Sequence, residues 1–364
     1  MSTWVIKVGS SLLTKRGKEL DEAFIATLVG EVAELTAQKN RVALVTSGSI
    51  AAGRMVLGFK PETMGELQAT AAVGQTRLMQ AISVSFAAKG LTIGQILLTH
   101  DDIKERQRYL NARTTLNTLF ALGSIPVINE NDTVSTEEIR FGNNDIIGGL
   151  IANLIDAEKL VILTDTGGLY TADPHLDPEA KLISERNCAD PLLDTIAGGS
   201  LSGLGRGGMI TKVQSARLAA RSGTDTWIVS GADPCMIGRI ARGEAVGTRL
   251  LAGDRSVTSR LRWLAGRQKV EGTLRLDNGA VRALTGRKVS LLPVGITGVQ
   301  GSFERGALVA CVSPEGASVA RGLTNYDSRL IDKIRGKNSR AISELLGYPH
   351  DHEVIHRDNL VLSG

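Results

Sequence analysis

Residues 4–11 read Trp-Val-Ile-Lys-Val-Gly-Ser-Ser, and this stretch is the first of the apolar runs from which the fold is predicted. Trp4–Val8 is a short apolar run without polar alternation, which is typical of a strand buried on both faces of a parallel sheet. Lys7 lies inside that run, and because a buried, unpaired ammonium group is costly, structure alone does not easily explain it. The Gly-Ser-Ser segment that follows allows close backbone approach and offers free amides at a predicted helix start.

The same pattern recurs along the first 250 residues. Five more apolar runs are predicted strands: Val42–Thr46, Ile93–Leu98, Ile125–Ile128, Leu160–Thr164 and Thr226–Ser230. Stretches with apolar residues at helical spacing separate them: Asp21–Gln38, Leu67–Ala88, Asp102–Leu122, Asn144–Ile155 and Met209–Arg221. This alternation predicts an α/β fold with a mainly parallel open sheet sandwiched by helices.

The pattern changes after Leu251. Residues 253–270 are polar and basic, and we predict a linker or short helix there. Short β-like segments separated by glycine-rich turns follow: Glu271–Leu276, Lys288–Leu292, Gly298–Phe303, Leu308–Val312 and Ser318–Leu323. Asp277–Gly279 resembles a hairpin turn, and Ser328–Leu346 is the one clear helix predicted in this part. We expect an α/β domain at 1–252, a linker at 253–270 and a small, mostly β domain at 271–364.

The composition is that of a globular protein, with 42% hydrophobic and 22% charged residues in 364. No apolar run approaches the roughly 20 residues that span a bilayer, and the first residues do not resemble a secretion signal. Three distant cysteines fit a reducing compartment, so we expect a cytoplasmic protein without membrane association. Residues 251–364 carry 17 basic and 11 acidic side chains, an excess that fits a polyanion-binding domain or simply a solvated surface.

The segments that follow four predicted strands are polar or rich in glycine. They lie at residues 7–11, 46–53, 129–132 with 142–145, and 164–174. Each segment alone has a structural explanation, as a helix cap or as an Asx turn. However, ligands of open parallel sheets bind beyond the carboxyl ends of the strands, and all four segments are expected at that edge. Together they indicate a ligand site.

A glycine-rich loop at residues 202–212 runs into a predicted helix that carries Lys212. Its spacing matches the dinucleotide-binding pattern formally, but the loop does not directly follow a strand, so we reject that interpretation. A purely structural flexible loop is one alternative, and a loop that closes over a nucleoside triphosphate explains the sequence better. Lys7 and Lys212 could then flank a moving phosphoryl group, with Asp145 between them. A carboxylate acceptor would need no catalytic base, because it is already ionised at neutral pH.

Five motifs carry a family resemblance: Lys7-Val-Gly-Ser-Ser, Val45-Thr-Ser-Gly-Ser-Ile-Ala-Ala-Gly, Pro126-Val-Ile-Asn-Glu-Asn-Asp, Leu163-Thr-Asp and Gly207-Gly-Met-Ile-Thr-Lys. With them the chain resembles the amino acid kinase family over essentially its whole length. The Asn-Glu-Asn-Asp segment and a tail similar to a PUA domain favour the branch that phosphorylates the γ-carboxylate of L-glutamate. The resemblance implies ATP and Mg²⁺, the first step of proline biosynthesis, and feedback inhibition by proline.

The resemblance also implies roles for individual residues. Lys7 and Lys212 would stabilise the transferred phosphoryl group, and Asp145 would organise them. L-glutamate would be held by Ser47, Gly48, Asn129, Asp132 and Asn144. The ATP site would consist of Lys7, Ser10, Thr164, Asp165, Arg206, Gly207, Gly208, Met209, Ile210, Thr211 and Lys212.

Two residues depart from the family pattern. Arg206 stands where a threonine is usual, so the resemblance does not establish a hydroxyl contact with the nucleotide at this position. Asn143 stands where some relatives have aspartate, which leaves the magnesium ligands open. The resemblance further suggests a dimer or tetramer. Since the acyl phosphate product is labile, cooperation with a γ-glutamyl phosphate reductase is a reasonable hypothesis.

Two other interpretations remain from sequence alone. One is another enzyme of the same fold that acts on aspartate, N-acetylglutamate, carbamate or UMP, although a PUA tail is unexpected on those. The other is an RNA-binding or RNA-modifying protein, because PUA domains are common on such proteins. The modest basic excess and the motifs of the first 250 residues argue against RNA, whereas a steep fall of RNA affinity with salt would support it.

Overall fold

The computed structural model describes residues 1–15, 17–136, 144–174, 176–198, 208–233, 235–253, 269–287, 289–347 and 351–363. The chain divides into two compact units, one made of residues 1–103 and 112–256 and the other of residues 104–111 and 257–364. The predicted linker at 253–270 lies almost entirely outside the described residues. The domain boundaries at residues 252 and 271 therefore stay a prediction.

The described strands of the first unit are β1 (Thr3–Val8), β2 (Arg41–Val45), β3 (Ile93–Leu98), β4 (Ile125–Glu130), β5 (Lys159–Thr164), β6 (Glu185–Asn187), β7 (Asp225–Ser230) and β8 (Thr248–Leu251). They form one sheet in the order β3-β4-β2-β1-β5-β7-β8-β6. The first six in this order pair in parallel, which confirms the six predicted strands. The short strands β8 and β6 were not predicted; β8 runs antiparallel to β7, and β6 lies at the edge of the sheet.

The helices described between these strands flank the sheet. They are α1 (Ser10–Leu13), α2 (Glu22–Ala37), α3 (Ser49–Leu57), α4 (Met64–Ala87), α5 (His100–Lys104), α6 (Arg106–Ala121), α7 (Asn144–Leu154), α8 (Leu192–Gly198), α9 (Met209–Ala220) and α10 (Met236–Ala241). The prediction of a single helix at Asp102–Leu122 is wrong. Glu105 interrupts it, because its carboxylate accepts the N–H groups of Gln107 and Arg108 and so caps the start of α6.

Local chemistry explains where the long helices begin. Asp21 starts α2, as predicted, since its carboxylate accepts the Phe24 N–H at 3.0 Å. Thr63 and Glu66 form a reciprocal capping box at the start of α4. The buried faces of α2 and α4 join the side chains of the central strands in one large apolar cluster. That cluster packs the helices against the sheet. The polar residues at the strand ends lie outside it.

The second unit is built around a smaller sheet. Its described strands are β9 (Gly272–Leu276), β10 (Ile296–Gln300), β11 (Leu308–Val312), β12 (Ser318–Leu323) and β13 (Leu360–Leu362). They pair in the order β10-β9-β11-β12-β13, antiparallel except between β9 and β11. The helices described here are α11 (Asn278–Gly286), α12 (Ser328–Ile334) and α13 (Ser339–Leu346). The predicted mostly β character of this part is confirmed.

Two local predictions for this unit are wrong, because a side-chain cap overrides a turn pattern and a left-handed glycine ends a helical pattern. Asp277–Gly279 is not a hairpin turn, since the Asp277 carboxylate accepts the Ala280 N–H at 2.7 Å and so starts α11. The predicted helix at Ser328–Leu346 is also divided. Gly336 has a φ of 71°, in the left-handed region, and separates α12 from α13.

The strand predicted at Lys288–Leu292 is also absent from the described residues of that segment. Leu291 forms an isolated antiparallel bridge with Ile355 instead of a strand. Leu291 is nevertheless buried in the apolar cluster of the unit, which is why the segment has the composition of a strand. Among the helices of the described ranges, none combines the length and apolar character needed to cross a bilayer.

Candidate active site

The strand order brings four segments to one edge of the large sheet. β4, β2, β1 and β5 are consecutive parallel neighbours, so their carboxyl ends lie side by side. The Gly9 N–H donates to the Leu163 carbonyl of β5 at 3.2 Å. The Ser47 hydroxyl, which follows β2, donates to the Val8 carbonyl at 2.8 Å. The end of β1 is thus bonded on both sides, and the segments that follow β1, β2, β4 and β5 lie at one edge, as the sequence pattern predicted.

Three ionisable side chains meet at this edge. Lys7 lies on β1, Asp145 in the first turn of α7 and Lys212 in the first turn of α9. Lys7 Nζ is 2.5 Å from Asp145 Oδ1, and Lys212 Nζ donates to Asp145 Oδ2 at 3.0 Å. The three residues are 7%, 1% and 7% exposed, respectively. The structure therefore brings together the three residues to which sequence reasoning assigned catalysis.

We call this cluster the ion triad. Within it, burial and the opposite charges of neighbouring residues shift the pKa values in opposite directions. Burial lowers the pKa of Lys7, and the neighbouring Lys212 lowers it further, against the effect of Asp145. Burial alone would raise the pKa of Asp145. The two ammonium groups outweigh it and hold that pKa below its ordinary value, so Asp145 is an anion at neutral pH. With both lysines protonated, the triad carries a net charge of +1.

Small residues allow the backbones that carry the triad to approach closely. A Cβ atom at Gly148 of α7 would lie 3.3 Å from the Lys7 Cβ. A Cβ atom at Gly149 would lie 2.4 Å from the Ser215 carbonyl oxygen of α9, which leaves no space for a side chain. The Ser215 hydroxyl, in turn, donates to the Asp145 carbonyl at 2.5 Å. α7 is therefore fixed against both β1 and α9 where the triad forms.

A chain of amide hydrogen bonds lies beside the triad. Asn129 Oδ1 accepts the Glu130 N–H at 3.0 Å and Asn144 Nδ2 at 2.8 Å. Asn144 Nδ2 also donates to the Thr46 carbonyl at 2.9 Å, which connects the start of α7 to the end of β2. Asn129 Nδ2 donates to Gln75 Oε1 at 2.7 Å. Two predicted substrate residues, Asn129 and Asn144, are thus in direct contact.

The start of α3 contributes the remaining predicted substrate residues. Gly48 caps this helix with a φ of 98°, a left-handed conformation that favours glycine, and no side chain caps the helix. Asp132, in the turn after β4, accepts a hydrogen bond from the Ser49 hydroxyl at 2.5 Å. The first N–H groups of α3 and the Asp132 carboxylate therefore lie at the same edge as Ser47.

The described residues assigned to ATP lie at the ends of β1 and β5 and at the starts of α1 and α9. The Thr164 hydroxyl donates to Asp165 Oδ1 at 3.0 Å, while the Thr164 carbonyl accepts the Gly231 N–H at 2.7 Å. Ser10 is the first residue of α1. Thr211 Oγ1 is 2.8 Å from Asp145 Oδ2, so this hydroxyl extends the triad.

The glycine-rich loop is described only from its end. Gly208 caps α9, and Met209 and Ile210 pack against a small apolar cluster between that helix and the sheet. Arg206, Gly207 and Asn143 lie outside the described residues, so their predicted roles and the two departures from the family pattern stay untested.

Three residues of this edge were missed from sequence. Gln75 and Ser215 are polar residues on the buried, mainly apolar faces of their helices, and Ser49 directly follows a predicted substrate residue. Gln75 follows Ala71 by four residues and precedes Leu78 by three, all buried, which is the signal that could have identified it. A polar residue in the apolar stripe of a helix needs a partner, and here that partner is Asn129.

Comparison with known proteins identifies both units. The model of the amino acid kinase family matches residues 2–230, and that of the PUA domain matches residues 272–346. A glutamate 5-kinase of Ectopseudomonas mendocina (strain ymp) is 54% identical over 362 residues, which are 99% of this chain and 97% of that protein. A glutamate 5-kinase of Burkholderia multivorans is 52% identical over 360 residues, with 98% and 97% covered.

Solved structures are similar in fold. An isopentenyl phosphate kinase in complex with its substrate superposes with a TM-score of 0.50 at 18% identity, covering 69% of this chain and all of that one. At this identity the likeness extends to the fold alone. The matching family model covers more than half of the chain, and the matched residues include all three members of the ion triad. The chain belongs to the amino acid kinase family and carries a PUA domain after its kinase domain.

Proposed function

We propose that this protein transfers the γ-phosphoryl group of ATP to the γ-carboxylate of L-glutamate, which yields ADP and γ-glutamyl phosphate. The observation that carries the proposal is the buried ion triad at the carboxyl edge of the sheet, beside a chain of amides. Relatives named glutamate 5-kinase, more than half identical over nearly the whole chain, support the choice of substrate. The reaction is the first step of proline biosynthesis.

The triad suits phosphoryl transfer, which depends on positioning and charge stabilisation more than on covalent chemistry. Lys7 and Lys212 would stabilise the negative charge on the transferred group, while Asp145 holds both ammonium groups in position. In a direct in-line transfer, a γ-carboxylate oxygen of glutamate forms a bond to the γ-phosphorus as the bond to the β,γ-bridging oxygen breaks. No base is needed, because the acceptor carboxylate is ionised at neutral pH.

The amide side of the edge suits an amino acid. Asp132 is an anionic partner for the α-ammonium group of glutamate. Asn129 keeps one amide N–H for a substrate carboxylate, since its other N–H is donated to Gln75. Asn144 donates both of its N–H groups within the protein, so it offers its Oδ1 as an acceptor for the substrate ammonium group. The open N-terminus of α3, at Ser47 and Gly48, offers further N–H donors for a carboxylate. These assignments explain why a polar network, rather than packing alone, joins β2, β4 and α7.

ATP would bind along the ends of β5 and α9, through Ser10, Thr164, Asp165 and the loop from Arg206 to Lys212. In the described part of the chain, no group of three or more His, Cys, Asp or Glu residues is arranged to hold a metal ion. Mg²⁺ therefore fits best as part of the substrate MgATP, held chiefly by phosphate oxygens and water, as this cation prefers. Bound in that way, it supplies positive charge to the triphosphate.

Further properties belong to the same proposal. We expect a cytoplasmic dimer or tetramer that is inhibited by proline, the end product of the pathway. A γ-glutamyl phosphate reductase would consume the labile acyl phosphate. RNA binding by the PUA domain is the competing role, and the basic excess of the tail is its support. Affinity for RNA that falls steeply with salt would establish this additional role.

The test is ADP release from MgATP in the presence of hydroxylamine, which traps an acyl phosphate as a hydroxamate. Glutamate, aspartate, N-acetylglutamate and no acceptor are compared, with Lys212→Ala as the inactive control. Hydroxamate formation with glutamate alone, lost in the variant and lowered by proline, is the expected result. Turnover of a different acceptor would keep the mechanism and overturn the substrate. No turnover with any acceptor would overturn the kinase function.

A further inference from the structure

α3 and α4 cross in backbone contact beside the amide chain. A Cβ atom at Gly74 of α4 would lie 1.8 Å from the Ser49 carbonyl oxygen and 2.3 Å from the Gly53 nitrogen. A Cβ atom at Gly53 of α3 would lie 1.9 Å from the Thr70 carbonyl oxygen. Neither position accepts any side chain without separating the helices. The two glycines therefore fix α3 on α4 within one residue of Gln75.

This crossing places one polar side chain of each helix against a proposed substrate residue. Ser49, which is 3% exposed, donates its hydroxyl to Asp132 Oδ2. Gln75, which is 9% exposed, accepts from Asn129 Nδ2. Both contacts join residues far apart in the chain, with separations of 83 and 54 residues. Helix packing and the orientation of the two site residues are thus connected.

The direction of the Gln75 contact follows from the backbone. Because the Glu130 N–H can only donate, the atom of Asn129 that it contacts is the oxygen. The other terminal atom of Asn129 is then the nitrogen, and the atom of Gln75 facing it must be the oxygen. Gln75 Nε2 is buried without a hydrogen-bond partner. A buried donor without a partner lowers the stability of the fold, so packing alone does not explain a glutamine at this position.

We propose that Ser49 and Gln75 are positioning residues that set the affinity for the amino acid substrate by orienting Asp132 and Asn129. This inference rests on the proposed function. Neither residue contacts the ion triad, so phosphoryl transfer itself does not depend on them. Ser49 acts on the carboxylate that pairs with the substrate ammonium group, and Gln75 acts on the amide that faces a substrate carboxylate.

The experiment measures steady-state kinetics of the full-length chain with Ser49→Ala and Gln75→Met. Ser49→Ala removes a hydrogen bond to a charged group, and we expect the KM for glutamate to rise about tenfold. Gln75→Met keeps the length of the side chain but removes the acceptor, and we expect a rise of about fivefold. In both variants kcat stays within about twofold and the KM for ATP is unchanged, because the triad is intact.

Matched controls lie on the exposed face of α4. Ser83→Ala and Gln80→Met make the same chemical changes at exposed positions of that helix, and they should leave every kinetic constant unchanged.

Inhibition by glutarate, which lacks the ammonium group, separates the roles of Ser49 and Gln75. Its inhibition constant should be unchanged in Ser49→Ala and raised in Gln75→Met. A general loosening of the site would weaken glutarate binding in both variants.

The outcomes separate the two proposals. If the unmodified chain phosphorylates glutamate and Ser49→Ala behaves like Ser83→Ala, the inference for Ser49 is overturned. A loss confined to kcat, or an equal rise of the KM for ATP, would overturn it as well. Gln75→Met tests the second residue by the same criteria. If the unmodified chain does not accept glutamate, the proposed function fails first, and the experiment shows this before any variant is compared.

Discussion

In the proposed site, the phosphoryl half is held by charge, whereas the amino acid half is held mainly by neutral hydrogen bonds, with the Ser49 contact to the Asp132 carboxylate as its charged member. Lys7 and Lys212 are buried cations that both pair with the buried anion Asp145, and the three residues lie on three different elements. Around Asn129, by contrast, amide groups form a chain with a defined direction. The same sheet edge thus carries buried ions, which need a partner of opposite charge, and buried amides, which need hydrogen-bond partners.

This difference has consequences for mutation. Removing one ion of a buried cluster leaves another ion uncompensated, which costs several kcal/mol. Removing one neutral partner costs about 1 kcal/mol unless it exposes a charge. We therefore expect changes in the ion triad to affect stability and turnover, and changes in the amide chain to affect substrate affinity. Five further predictions test this comparison.

Asp145→Asn should have the largest effect, because two buried ammonium groups would lose their shared anion. We expect the free energy of unfolding to fall by about 3 kcal/mol at neutral pH, together with loss of turnover. The measurement is urea denaturation of both proteins. A variant as stable as the original would show that the triad does not hold the fold.

The pH dependence of that difference gives a sharper test. Since the folded-state pKa of Asp145 is below the ordinary 3.8, the stability it contributes is present above pH 3.8 and is lost as the pH falls through the folded-state value. The difference in unfolding free energy between the original chain and Asp145→Asn should therefore shrink as the pH is lowered below 3.8. A difference that stays constant would exclude a depressed pKa.

Lys212→Ala should lower kcat by about 10²- to 10³-fold, the usual cost of removing one group that stabilises transition-state charge. Lys7 still pairs with Asp145, so the fold is retained. Single-turnover kinetics with saturating MgATP and glutamate would measure the change. Lys212→Arg, which keeps the charge, should recover part of the loss. A variant altered only in its KM for glutamate would contradict the division between the two halves.

Gly74→Ala should lower the free energy of unfolding by about 3 kcal/mol, because its Cβ would overlap the Ser49 carbonyl. Gly65→Ala, on the same helix, meets no atom within 4 Å and should stabilise the chain by about 0.5 to 1 kcal/mol. Thermal or chemical unfolding of the pair measures both. If the two variants unfold alike, the close crossing of α3 and α4 does not exist.

Thr211→Val should have the smallest effect. Its hydroxyl lies 2.8 Å from Asp145 Oδ2 and 2.7 Å from the Gly208 carbonyl, and Lys212 remains in place to hold Asp145. A loss of about 1 kcal/mol corresponds to a fall in kcat of about fivefold. Thr211→Ser, which keeps the hydroxyl, should match the original rate. A fall as large as that of Lys212→Ala would show that Thr211 acts directly on the phosphoryl group.

The two units also differ in how well their elements could be predicted. Five of the six predicted strands of the large sheet, β1, β2, β4, β5 and β7, are almost entirely buried, so their apolar runs predict them directly, and the edge strand β3 is half-buried. In the PUA unit, capping by Asp277 and the left-handed Gly336 override a turn pattern and a helical pattern. Leu291 shows that a buried segment can have the composition of a strand without pairing as one.

Two features could be recognised from the sequence alone. Polar residues, among them Lys7, Ser47, Asn129 and Thr164, lie at or just after the ends of predicted strands, and Lys212 lies near the start of a late helix. That was sufficient for the ion triad, because parallel strands bring their carboxyl ends to one edge. Only the tertiary structure decided that Gln75 and Ser49 reach this edge. Their partners are more than 50 residues away, and helix crossing at Gly53 and Gly74, which has no local sequence periodicity, brings them together.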